Sequence, residues 1–140
     1  MKENMKAEYK ELLLADLSAR VPYEVKARVK TWSWFDFKSM EDECVVRYVF
    51  PKLNNIYVTT ETGSINVILG HDDYDIKPYL FPLESMTAEQ NLEYSKTYVN
   101  LGFTMAPTPE TFDWLNKNHI DYRHLIEKGL ALDATGKNIY

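Results

Sequence analysis

The stretch Glu24-Val-Lys-Ala-Arg-Val-Lys-Thr-Trp32 decides the fold, because its side chains alternate between apolar and basic with a period of two. Such alternation predicts a β-strand with one face in a core and the other in solvent. The core face consists of the residues Val25, Ala27, Val29 and Thr31. The solvent face consists of the basic residues Lys26, Arg28 and Lys30. The chain is therefore predicted to contain a half-buried sheet.

An amphipathic helix is predicted immediately before this strand. Over residues 3–20, apolar side chains recur every three or four positions, which is typical of one face of a helix. Pro22 ends the helix, because proline disfavours helical geometry at the residue before it. The helix is thus expected to lead directly into the strand.

Further strands are predicted after the first. Residues 43–50, 56–62 and 64–69 are rich in β-branched and aromatic side chains. Gly63 lies between the last two runs and suits a tight antiparallel hairpin. Residues 33–42 mix aromatic and acidic side chains, and we predict a loop there. Strands at this spacing favour a small, bent antiparallel sheet or a partly open barrel.

The second half of the chain is predicted to be a proline-containing strap followed by short helices. Residues 77–86 contain two prolines, so we predict an extended strap without regular ladder pairing. The strap is expected to pack its large side chains Tyr79, Leu80, Phe81 and Leu83 between the sheet and the helices. Thr87 and Gln90 form a capping-box pattern that opens a helix to about Leu101.

Two more helix starts follow. Thr108 and Pro109 predict a helix that ends near Asn118. Asp121 is predicted to cap a two-turn helix that ends at Gly129. The fold class is therefore α+β in a single domain of residues 1–140. In this prediction residues 1–86 form the N-terminal helix and the sheet, and residues 87–140 form a helical segment packed on them.

Length, charge and cysteine content limit the class of protein. The chain has 140 residues, enough for one core, and Cys44 has no partner for an internal disulfide. Residues 1–8 are charged, unlike a signal peptide, and no apolar run approaches the roughly 20 residues that cross a bilayer. A net charge of −5 disfavours non-specific attraction to nucleic acid. We therefore expect a cytoplasmic protein without membrane insertion.

Three motifs carry a resemblance to a known family. They are ELLLADLSARVPY at 11–23, KPYLFPLESMT at 77–87 and DWLNKNHIDYRHLIEKGLALDATGKNIY at 113–140. They resemble an uncharacterised family of small proteins from anaerobic gut bacteria and their phages and mobile elements. The resemblance implies an accessory protein, with host-defence interaction as one setting, and assigns no catalytic residue. It also implies small residues such as Gly at the positions of Glu24 and His124.

The chemically reactive side chains form no recognisable catalytic or metal-binding pattern. His119, Asp121 and His124 lie close in sequence, but a capping role for Asp121 would direct its carboxylate to backbone amides. The acidic run at 71–75 lacks the ligand pattern of a calcium loop, and we predict a solvated turn there. Cys44 begins an apolar strand and has no visible histidine partner. We therefore predict no enzyme activity, no cofactor and no metal. A hydrolase whose carboxylates converge from distant positions in the chain is the third hypothesis.

The basic strand is the first candidate binding site. Lys26, Arg28, Lys30 and the adjacent Trp32 combine positive charge with an aromatic plane, a pattern that can hold phosphate and stack a base. The competing interpretation is a solvated sheet face balanced by the acidic run at 41–43. The first interpretation predicts an anionic small ligand, such as a nucleotide signal that the protein sequesters.

A nucleic-acid interface is a weaker alternative. The two predicted C-terminal helices could form a helix-turn-helix that exposes Arg123, His124 and Lys128. Glu127 and the acidic net charge oppose the approach of phosphate. Nucleic acid is therefore the least favoured partner.

Aromatic content points to a protein-contact surface. The chain has three Trp, ten Tyr and six Phe, more than a core of this size readily buries. The candidates for an exposed patch are Trp34, Phe35 and Phe37, which lie outside the three motifs. We therefore predict a non-enzymatic binding protein that contacts another protein or a second copy of itself, with small-ligand sequestration as the alternative.

Overall fold

A computed structural model describes residues 5–140. The α-helices are α1 (Ala7–Arg20), α2 (Ala88–Ser95) and α3 (Pro109–Lys117). The long strands are β1 (Lys26–Ser33), β2 (Lys38–Phe50), β3 (Asn55–Thr60), β4 (Gly63–Ile68) and β5 (Tyr74–Pro82). The two-residue strands are β6 (Val99–Asn100), β7 (Met105–Ala106), β8 (Ile120–Asp121) and β9 (Leu132–Asp133). The predicted start of the first helix, at residue 3, lies outside the described residues.

The long strands form one sheet in the order β4-β3-β2-β1-β5, with every neighbouring pair antiparallel. In β1, Ala27 lies opposite Cys44 of β2 on one side and opposite Pro78 of β5 on the other. The short strands β8 and β9 pair with β5 in parallel. The sheet is therefore mixed and is not closed into a barrel, and the predicted α+β class with an N-terminal helix is confirmed.

The core lies between α1 and one face of this sheet. Leu13, Leu14 and Leu17 of α1 are buried there. The alternation predicted for the first strand holds, because Val25, Ala27 and Val29 are buried. The rest of the cluster comes from the other strands and from residues 125–131: Cys44, Val46, Ile56, Val58, Val67, Leu69, Ile76, Leu80, Leu125, Leu130 and Ala131.

The predicted strap is extended, but the expectation that it has no ladder was wrong. Its first half belongs to β5, where Lys77 and Pro78 pair with β1. Proline removes one amide donor but fits an extended backbone, so neighbouring residues can carry the ladder. Leu80 is buried as expected, whereas Phe81 lies only partly covered.

The prediction of a loop at residues 33–42 was also wrong. β1 continues to Ser33 and β2 begins at Lys38, and these two residues pair. Only residues 34–37 form the turn. β5 pairs with β1 only up to Thr31, and β3 pairs with β2 only from Val45. The end of the β1–β2 hairpin beyond these residues therefore projects from the sheet. We call residues 32–40 the hairpin arm.

The helix α3 ends next to Asn118 as predicted, whereas α2 is shorter than predicted. The capping box of α2 is present, with Gln90 N donating to Thr87 Oγ1 at 3.1 Å and Thr87 N donating to Gln90 Oε1 at 3.0 Å. The helix nevertheless ends at Ser95, and the chain continues into the β6–β7 hairpin. Tyr98, just before this hairpin, and Val99, its first residue, favour extended backbone, which explains the early end.

The final predicted helix is absent, because residues 122–129 form turns. The Asp121 carboxylate accepts hydrogen bonds from Leu125 N at 2.8 Å and from Ile126 N at 2.9 Å. These donors lie four and five positions downstream, beyond the positions that a helix cap serves. His124 has a φ of 59°, a left-handed conformation that no helix continues through.

The two positions where the resemblance implied glycine both have left-handed backbone, with a φ of 54° at Glu24 and 59° at His124. Glycine adopts this conformation without the steric penalty that other residues incur. We expect Glu24→Gly and His124→Gly each to raise the free energy of unfolding by about 0.5–1 kcal/mol. Urea denaturation is the measurement.

Glu89→Gly is the matched control for these substitutions, because Glu89 is exposed in α2 and has helical backbone. It should lower the free energy of unfolding by about 1 kcal/mol. Loss of stability in both the Glu24 and the His124 variants would contradict the prediction.

Candidate functional site

The predicted basic face lies on the side of the sheet opposite α1, but carboxylates lie beside it. Glu43 is the cross-strand neighbour of Arg28, and Glu41 is the neighbour of Lys30. Lys30 Nζ contacts Glu41 Oε1 at 2.9 Å. This hydrogen bond, helped by the charges of Lys30 and Arg28, lowers the pKa of Glu41. Around the middle of β1, the basic side chains thus lie beside acidic side chains of β2, and the surface is not uniformly basic.

Lys26 lies at the other end of the strand, under the last residues of the chain. Its Nζ donates to Ile139 O at 2.8 Å and lies 5.8 Å from the centre of the Tyr140 ring. Its backbone N–H donates to Tyr140 Oη at 2.9 Å, and that hydroxyl donates to Tyr79 O at 2.8 Å. The structure therefore does not bring Lys26 together with Lys30 in one open site, and the anion-binding face stays a prediction.

A cleft of about 680 Å³ lies where the hairpin arm meets the turn before β5. It is lined by Lys30, Thr31, Trp32, Trp34, Ser39 and residues 72–75. The two indole rings stand nearly perpendicular, at 83°, with their centres 6.1 Å apart. Trp34 Nε1 donates to Asp73 Oδ1 at 2.8 Å, which holds the arm against the turn. The cleft unites Trp32 and Lys30 of the predicted ligand site with Trp34 of the predicted protein interface.

The charge of the cleft is negative. Its lining includes three carboxylates, those of Asp72, Asp73 and Asp75, and one basic side chain, that of Lys30. The charge of Lys30 is offset by its contact with Glu41. The acidic run was predicted to be a solvated turn, and its place beside the tryptophans was missed. That placement depends on the pairing of β1 with β5, where Trp32 N donates to Asp73 O at 2.9 Å.

The tip of the hairpin arm is apolar and exposed. Phe35 is 98% exposed, Phe37 is 68% exposed and Trp34 is 67% exposed. These are the three residues that the sequence singled out as a protein-contact patch. None belongs to the core cluster on the other face of the sheet. The fold therefore presents them to solvent on an arm that projects from the sheet.

A second exposed apolar surface lies on the β6–β7 hairpin, where Leu101 is 62% exposed and Phe103 is wholly exposed. It was missed, because the helix predicted from Thr87 was expected to run through Leu101. Gly102, with a φ of 96°, marks the turn between them and was the available signal for a hairpin.

A buried polar cluster joins α1 to residues 120–123. Arg20 is fully buried and donates to both oxygens of Asp16, at 2.9 and 3.1 Å, and to Ile120 O at 2.7 Å. Arg123 Nη1 donates to Asp16 Oδ1 at 2.8 Å. Arg123 is thus engaged inside the protein and is not on a recognition helix, so the helix-turn-helix interpretation was wrong. Asp16 and Arg20 are fully buried, Arg123 is partly exposed, and the cluster joins α1 to the chain after α3.

His119 also lies against this cluster. Its ring stacks on Tyr140 with centres 3.6 Å apart. Burial, with a smaller contribution from the charges of Arg20 and Lys26, lowers the pKa of His119 to about 4. The ring is therefore neutral near pH 7.

The remaining reactive side chains are separated or buried. Among residues 5–140 no three His, Cys, Asp or Glu side chains are grouped so that they could hold a metal ion. Cys44 is buried, and desolvation raises the pKa of its thiol to about 12. A thiol with that pKa stays protonated near neutrality and is a poor nucleophile.

Comparisons of the chain with protein-family models, with curated proteins and with solved structures find no match. Within residues 5–140, no helix has the length and apolar character required to cross a membrane.

Proposed function

We propose that this protein is a non-enzymatic binding protein that acts through protein–protein contacts made by the tip of the hairpin arm. The observation that carries the proposal is the exposure of Trp34, Phe35 and Phe37 on an arm outside the core. Burial of a large apolar side chain is favourable by about 1.5–3 kcal/mol of free energy relative to its exposure to water. Clustered exposed side chains of this kind mark contact surfaces. The motif resemblance adds that the protein serves a phage or mobile element as an accessory factor.

The arm is also held in place for binding. The Trp34 indole is fixed by its hydrogen bond to Asp73 and by its edge-to-face contact with Trp32. The neighbouring Phe35 and Phe37 are left for a partner. Aromatic anchors that are ordered before association lose less conformational entropy on binding. The partner is either a different protein or a second copy of this chain.

Photocrosslinking tests the proposal. A benzoyl-phenylalanine placed at Phe35 should yield one defined adduct in cells that produce the protein, and mass spectrometry of the adduct tells a second copy from a foreign partner. The same group placed at Glu61 is the control and should yield none. Glu61 is exposed in the turn between β3 and β4, and both of these strands are separated from β1 by β2.

The adduct should disappear in a Phe37→Glu variant, because a charge in the apolar contact opposes burial. Sedimentation over a range of concentrations should show a dimer that Phe35→Glu dissociates if the partner is a second copy. No adduct at position 35, or equal adducts at 35 and 61, would reject the arm tip as the contact surface.

A further inference from the structure

We propose that the cleft at the base of the hairpin arm binds an arginine side chain of the partner protein. This inference rests on the proposed protein-binding function, and it specifies the chemistry that the partner must offer next to the arm tip.

The aromatic walls of the cleft suit a planar cation. Trp32 and Trp34 stand at 83° to each other, so they present two differently oriented ring surfaces to the cleft. A cation within about 6 Å of an indole centre is attracted by the ring, and the planar guanidinium also stacks on it. The volume of about 680 Å³ leaves room for a long side chain to enter between partner and arm.

The charges around the cleft favour a cation. Asp72, Asp73 and Asp75 lie in the lining, and Glu41 offsets the charge of Lys30. A phosphate or carboxylate entering the cleft would meet this excess of negative charge, whereas a cation is attracted by it. A carboxylate also accepts the paired N–H groups of a guanidinium, which an ammonium cannot reproduce. Charge complementarity therefore selects a basic occupant, and arginine above lysine.

The cleft lies next to the arm tip. It shares Trp34 with the arm tip, and Phe35 follows directly in the chain. A partner seated on the apolar tip would thus place its neighbouring side chains over the cleft. The tip would supply apolar contact area, and the cleft would select partners that carry arginine beside the apolar contact.

The test is a titration of the full chain with an acetylated, amidated tetra-arginine peptide, followed by calorimetry. Binding is expected to be tighter than that of the matched tetra-lysine peptide and to be absent with tetra-glutamate. Asp73→Asn should weaken the arginine peptide by about tenfold, because it removes the charge while its amide oxygen still accepts from Trp34. Trp32→Ala should weaken it by a similar factor, with the fold checked by thermal melting.

Glu61→Gln is the matched control, since it removes the same net charge from an exposed turn outside the cleft. It should leave the affinity unchanged. Equal weakening by Glu61→Gln and Asp73→Asn, or no detectable binding, would overturn the proposal. Equally tight binding of tetramethylammonium would show a site for small free cations and would overturn the assignment to a partner's arginine.

The crosslinking experiment separates this inference from the proposed function. If the adduct at position 35 forms equally in the Asp73→Asn variant, the arm tip is the contact surface but the cleft does not read an arginine of that partner. Absence of the adduct in the unaltered protein rejects the proposed function itself. Phe35→Ala should weaken partner capture and leave the affinity for the tetra-arginine peptide unchanged.

Discussion

Replacing Asp16 with Ala is expected to lower the free energy of unfolding by about 3–5 kcal/mol, because it leaves a buried arginine without its carboxylate. Arg20 is fully buried and donates two hydrogen bonds to Asp16. Arg123 loses the same partner in this variant. Urea denaturation followed by circular dichroism measures the loss.

A double variant separates the value of the ion pair from the penalty of breaking it. Asp16→Leu combined with Arg20→Met replaces both charges with apolar groups and should be markedly more stable than Asp16→Ala alone. Glu41→Ala is a surface control, because both Glu41 and its partner Lys30 are about half exposed, and it should change stability little. A loss in Asp16→Ala no larger than in Glu41→Ala would contradict a structural role for the cluster.

Replacing Leu80 with Ala is expected to lower the free energy of unfolding by about 2–5 kcal/mol, the range for emptying a buried leucine site. Leu80 is fully buried and belongs to the core cluster. Its carbonyl accepts a hydrogen bond from Ala134 N at 2.8 Å, so the residue lies where β5 meets the last part of the chain. Thermal and urea unfolding measure the effect.

Leu53 provides the control for this substitution, because it is 68% exposed and lies in the turn between β2 and β3. Leu53→Ala should change stability by no more than about 0.5 kcal/mol. A similarly small effect at Leu80 would mean that β5 is not packed as described.

Local patterns predicted those elements whose structure is decided locally. The alternation from Val25 to Val29 is enough to identify β1, since each residue's face follows from its position in the strand. The capping box at Thr87 similarly predicts a helix start from four consecutive residues. The end of this helix at Ser95 was mispredicted. No residue near Ser95 signals a helix C-terminus, and the chain continues into the β6–β7 hairpin.

The errors in the sheet have a non-local cause. Residues 38–42 form a strand because they pair with the end of β1. Their own sequence does not predict this pairing. Pro78 suggested an unpaired segment, although one missing donor does not prevent a ladder on either side. At Asp121 the carboxylate was correctly expected to accept from backbone amides, but His124 has a left-handed backbone that prevents a helix.

The candidate site shows the same division. Exposed aromatics at positions 34, 35 and 37 could be nominated from composition, because they lie outside any periodic pattern. The cleft could not, since Trp34 and Asp73 are far apart in the chain and meet only through the register of β1 and β5. The positive charge of the strand was visible, whereas the carboxylates that offset it come from two other strands.

The position of β5 has a consequence for the order in which the chain can fold during synthesis. β5 pairs with β1, which is made long before it, and with β8 and β9, which are made after it. While residues 120–133 are still in the ribosome, part of β5 has no partner for its amides and carbonyls. Exposed strand edges of this kind invite pairing with other chains. This edge of β5 therefore stays open to other chains in the interval between the emergence of Pro82 and that of Asp133.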